Sequence, residues 1–90
     1  FLKMAEALAV SGEREGLSPD FVRHALAQVL VGAGQLLAAD SASAAERIAQ
    51  IATPGGVTAE GLARLESAGL RQTTLSAFEN SLAKCRSLTL

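Results

Sequence analysis

SPDFVRHALAQVLVGAGQLLAA, running from Ser18 to Ala39, is the stretch on which the fold turns. Ser18 is a good N-cap, Pro19 stands at the first helical position where its missing donor is harmless, and Asp20 suits the positive end of the helix dipole. A long helix is therefore expected from Pro19 to about Ala39. Between Ala25 and Ala39 its only polar side chains are Gln28 and Gln35. A helix apolar nearly all round is buried on every side, and a chain of 90 residues cannot surround it unaided. Gly32 and Gly34 each cost about 1 kcal/mol in a helix interior relative to Ala, a penalty offset where another backbone approaches closely. The expectation is a homodimer with the helix near residues 19–39 buried between subunits. A central helix in a monomeric bundle is the competing arrangement.

Composition points the same way. The chain is 49% hydrophobic and only 3% aromatic, with Ala and Leu dominant, and its mean hydropathy is +0.28. That favours closely packed helices over a sheet, so the class expected is all-α, a single five-helix domain over residues 1–90. It also leaves more apolar surface than a small monomer hides. The net charge is −1 with charges scattered singly, which offers no basic stripe for phosphates, so no nucleic-acid partner is expected. One cysteine, Cys85, and one histidine, His24, make neither an internal disulfide nor a metal-ligand set. No segment is read as reaching the roughly 20 apolar residues of a membrane span, and no secretory leader is recognised. The reading is a cytoplasmic protein with no membrane partner and no bound metal.

Around the central helix the pattern is regular. A first helix from Phe1 to about Gly16 places Leu2, Ala5, Leu8 and Ala9 on one face, with Gly16 as its terminator. Its start at an apolar Phe, with no capping residue before it, is what a piece of a longer chain would show. Ser43-Ala44-Ala45-Glu46 forms a capping box for a short third helix to about Ala52, with Ile48 and Ile51 inward. A fourth helix is expected from about Ala59 to Ala68, with Leu62 and Leu65 as its core face and Gly69 as its end. A fifth begins near Arg71 to Thr74, one of the two threonines capping it. Leu75, Phe78, Leu82 and Cys85 then form one apolar stripe, with Cys85 as a small buried hydrophobe. His24 reads as structural, because no carboxylate or second ligand stands near it in sequence.

Helical character breaks at Ala52-Thr53-Pro54-Gly55-Gly56-Val57-Thr58. Pro54 fixes its own φ, and Gly55 and Gly56 leave bare backbone that permits positive φ. Thr58 is expected to cap the helix that follows, so that amides around Gly56 to Glu60 point outward as an anion site. The same Pro-Gly-Gly pattern also serves simply as a tight connection. The chain contains no Ser/His/Asp set, no paired catalytic carboxylates and no G-x-G-x-x-G loop.

The run Thr53-Pro54-Gly55-Gly56-Val57-Thr58-Ala59-Glu60-Gly61-Leu62, followed by Leu65-Glu66 and Ala68-Gly69-Leu70-Arg71, resembles the signature of pyrroline-5-carboxylate reductases. The resemblance extends to Glu6-Ala7-Leu8-Ala9, to Gly16-Leu17-Ser18-Pro19 and to the glycine-bearing long helix, and so covers Phe1 to about Leu88. It implies an enzyme that reduces 1-pyrroline-5-carboxylate to proline with NADPH or NADH. In that family a Rossmann domain, expected upstream of this chain, holds the cofactor, and a helical domain forms an intertwined dimer. The Pro-Gly-Gly turn contacts the substrate carboxylate. Carried onto this sequence, the substrate-binding residues are Thr53, Gly55, Gly56, Val57 and Thr58, and Thr58 is the candidate proton donor. Thr53 stands where the family usually has Ser, Val57 where Thr or Ala is common, and Ala59 where Ile is common, which bears most on the contact made by Thr53. The isolated chain is expected neither to bind NAD(P)H nor to turn over substrate. A free-standing helical dimerisation or adaptor module is one alternative, and the helical half of another Rossmann imine or keto-acid reductase is a second.

Overall fold

A computed structural model describes residues 1–88, which form five α-helices and, among those residues, no strand. They are α1 (Leu2–Arg14), α2 (Pro19–Ala38), α3 (Ala44–Ile51), α4 (Val57–Ser67) and α5 (Leu70–Leu88). The all-α class expected from composition is the observed one. Packing divides the chain into two compact units, Phe1–Arg47 and Ile48 onward.

The first unit is an α1–α2 hairpin followed by the start of α3. Gly16, at φ +90, ends α1: its amide donates to the Glu13 carbonyl and the Leu17 amide donates to the Gly12 carbonyl, at 3.0 and 3.1 Å. This pair of bonds is a Schellman motif, and it satisfies carbonyls that the helix end would otherwise leave open. Ser18 caps α2, its hydroxyl accepting the Phe21 amide at 3.2 Å. The two helices meet at Gly12, where a Cβ would lie 3.0 Å from Val22 Cγ2. Val22 is the one buried hydrophobic side chain among the described residues, 5% exposed. Beyond α2, Asp40 holds the connection by accepting the Ala42 amide at 2.9 Å and pairing with Arg47 at 2.7 Å.

Beyond Val22 and the half-buried Ala25, Leu26, Leu30 and Gly32, α2 is exposed. Val29, Val31 and Leu37 are 65%, 55% and 56% exposed, and nothing lies within 4 Å of a Cβ built on Gly32 or Gly34. Two apolar hollows open along the same surface. One of about 280 Å³ lies between α1 and α2 over Ala5, Ala9 and Leu26. The other, of about 300 Å³, is floored by Leu30, Ala33, Gly34 and Leu37. By length and composition α2 is also apolar enough to cross a bilayer, which corrects the expectation that no segment reaches that limit.

In the second unit α4 packs on α5 across Gly69, whose φ of +91 reverses the chain. Several expectations need correction here. α5 starts at Leu70, directly after Gly69, so neither Thr73 nor Thr74 is a cap: Thr74 Oγ1 donates back to the Leu70 carbonyl at 2.7 Å inside the helix. Ile48 and Ile51 are exposed rather than inward, as are Leu65, Leu75 and Phe78. Cys85 is exposed, not buried. For Leu75, Phe78 and Cys85 the cause is that α4, 11 residues long, can cover only part of the apolar stripe on α5, 19 residues long.

Candidate functional site

Thr53, Pro54, Gly55 and Gly56 form a closed β-turn, the Gly56 amide donating to the Thr53 carbonyl at 3.0 Å. Pro54 occupies the second position, where its fixed φ is favoured, and Gly55 the third with φ +76, the left-handed value that a type II turn demands. The chain leaves this turn through Gly56 at φ −84 and ψ 173, extended backbone, and enters α4 at Val57. The Gly56 carbonyl accepts the Glu60 amide at 3.2 Å, the first bond of that helix.

This geometry revises the role of Thr58. The cap of α4 is Gly56, Val57 is the first helical residue and Thr58 the second. Thr58 is therefore not an N-cap, because the turn closes early enough for the helix to begin before it. Gly56 has no side chain, and α4 starts without a side-chain cap. The amides of Val57, Thr58 and Ala59 consequently point out of the helix end, beside the positive pole of its dipole. The run of outward amides expected from Gly56 to Glu60 is narrower in the structure, because the Gly56 amide donates to the Thr53 carbonyl and the Glu60 amide to the Gly56 carbonyl, which leaves a set of three ending at Ala59. The signal that would have found it is the position of the cap: once Gly56 is the cap, the three residues after it carry the open donors.

All five sequence-selected residues lie on this one turn and helix start. Thr53, Gly55, Val57 and Thr58 are exposed, Gly56 is half-buried, and Val57 is 93% exposed. The apolar hollows of the first unit include none of them. No basic side chain stands in the first turn of α4. Its charged member is Glu60, whose sign opposes an anion but whose exposure leaves it screened by solvent. An acceptor group could thus be held by backbone donors, with hydroxyls from Thr53 and Thr58 at its edges. His24 is exposed on α2, and among the described residues no group of three His, Cys, Asp or Glu side chains is placed to hold a metal.

The family model described as pyrroline-5-carboxylate reductase dimerisation matches residues 1–88. Among curated relatives, pyrroline-5-carboxylate reductase 3 of Danio rerio is 37% identical over 84 residues, 93% of this chain and 29% of the relative. Its counterpart in Xenopus laevis is 40% identical over 75 residues, 83% of this chain and 27% of the relative. A pyrroline-5-carboxylate reductase of Aquifex aeolicus (strain VF5) is 29% identical over 83 residues, 92% of this chain and 31% of the relative. The chain spans less than a third of the length of these relatives. No solved structure gives a significant match. Because the family model covers all five helices and the turn between α3 and α4, the chain belongs to the pyrroline-5-carboxylate reductase dimerisation family.

Proposed function

We propose that this chain is the dimerisation and substrate-carboxylate-binding region of an oxidoreductase that reduces 1-pyrroline-5-carboxylate to L-proline with NADPH or NADH. The observation that carries the reading is the start of α4, a helix end left without a side-chain cap directly after a type II turn. In this reading the substrate carboxylate takes the place of the missing cap, accepting from the amides of Val57, Thr58 and Ala59. Charge-assisted bonds of that kind need no cationic side chain. Thr58 then presents its hydroxyl from the second helical position and supplies the proton to the imine nitrogen, while Gly55 and Gly56 keep the approach clear of side chains.

The nicotinamide supplies the hydride chemistry when bound. The residues of this chain do not fit a dinucleotide: among those described no strand runs into a glycine-rich turn, and Gly55-Gly56 joins two helices. The cofactor's site is accordingly assigned to the remainder of the enzyme.

The chain is further proposed to homodimerise, in an intertwined manner, around α2. Its uncovered valines and leucines, and the open space over Gly32 and Gly34, support this, since each glycine needs a close neighbour to offset its cost in a helix.

Val57→Pro in the full-length enzyme tests the carboxylate site. Proline is favoured at the first helical position, and the extended backbone of Gly56 is what a residue before proline prefers, so folding is retained while one amide donor is deleted. KM for pyrroline-5-carboxylate should rise by roughly tenfold with an unchanged melting temperature. An unchanged KM would remove Val57 from the site.

A further inference from the structure

Gly56 is not required by its dihedral angles, since φ −84 with ψ 173 is open to every residue. Space is what excludes a side chain there. A Cβ at this position would stand 2.6 Å from Thr53 Oγ1 and 3.1 Å from the Thr53 carbonyl oxygen. Pro54 and the positive φ of Gly55 fold Thr53 back over residue 56, and the 3.0 Å bond from the Gly56 amide to the Thr53 carbonyl holds it there. Asn, Asp and Ser, the residues that cap helices best, all carry a Cβ that this contact penalises, since Thr53 would have to shift to admit it. The same chain uses serine caps for α2 and α3; α1 also starts without a side-chain cap, but at Gly56 the missing cap has a local steric cause.

We propose that Thr53 is a positioning residue whose hydroxyl holds the cap position of α4 empty. The consequence is that a side-chain cap at residue 56 is disfavoured, and the amides of Val57, Thr58 and Ala59 stay available to an external carboxylate. That consequence rests on the carboxylate reading given above. The steric role of Thr53 does not.

A double-mutant cycle in the full-length enzyme separates the two, with Thr53→Ala, Gly56→Ser and the pair measured for melting temperature and kinetics. Gly56→Ser should lower the melting temperature by several degrees with Thr53 present and by clearly less with Thr53→Ala. The carbonyl contact at 3.1 Å keeps part of the penalty in both. Thr53→Ser retains the oxygen and should restore the full penalty. Should the Gly56→Ser variant fail to fold, Gly56→Ala supplies the same stability comparison with the methyl alone. Equal penalties in the Thr53 and Thr53→Ala backgrounds overturn the proposal. In the double variant the new serine hydroxyl can cap the helix, so KM for pyrroline-5-carboxylate should rise by roughly tenfold over Thr53→Ala alone, with kcat nearly unchanged. Coupled penalties with an unmoved KM uphold the role of Thr53 and overturn the carboxylate reading instead.

Discussion

α3 and α4 begin in opposite ways. At the start of α3, Ser43 Oγ accepts the Glu46 amide at 3.1 Å and the Glu46 carboxylate accepts the Ser43 amide at 3.3 Å. Two donors are satisfied reciprocally, which a helix of 8 residues needs, because so short a segment is marginal without its caps. At the start of α4 the corresponding position is Gly56, and no side chain closes the end. One helix start is sealed for stability, while the other leaves its donors open. The difference lies in a single side chain, whose absence at Gly56 leaves the amides of Val57, Thr58 and Ala59 open.

The sharpest way to break this comparison is to ask whether the open end takes part in chemistry. In the full-length enzyme Thr58→Val should lower kcat by about tenfold or more, which corresponds to roughly 1.4 kcal/mol or more in the transition state. Because Thr58 is exposed and does not cap α4, the same change should leave stability within about 0.5 kcal/mol. Thr58→Ser, which keeps the hydroxyl, should retain most turnover. Equal turnover in the two variants would leave the site to backbone amides alone.

Assembly is tested by Gly32→Leu, where the added side chain would hold a second backbone away. Light scattering on the full-length protein at micromolar concentration should show loss of the dimer. An unchanged dimer would place Gly32 outside the interface. The sealed end is tested by Ser43→Ala, which should destabilise by about 1 kcal/mol, read as a lower melting temperature with KM unaltered. A change in KM there would mean that the contrast between the two helix starts had been misplaced. Glu46→Gln should have the smallest effect, below about 0.5 kcal/mol, since glutamine also completes a capping box.

Much of this was legible in the residues because capping and turn chemistry act over three or four positions. Ser18-Pro19, the Ser43–Glu46 box and Gly16 each behave as their local rules require. The start of α4 was misread by two residues for an equally local reason. Thr58 is a better intrinsic cap than glycine, but the bond from the Gly56 amide to the Thr53 carbonyl closes the turn first. α5 likewise begins at once after Gly69 instead of waiting for a threonine.

By itself the sequence determined five helices and the break at Pro54-Gly55, since both depend on neighbours along the chain. Tertiary structure decided what the apolar stripes face. Periodicity tells which side of a helix is apolar, not whether anything lies against it, so Ile48, Ile51, Phe78 and Cys85 could be read as buried and yet stand exposed. Tertiary structure also decided that Thr53 folds over Gly56, because a 2.6 Å conflict with an absent Cβ exists only once the turn is closed in three dimensions.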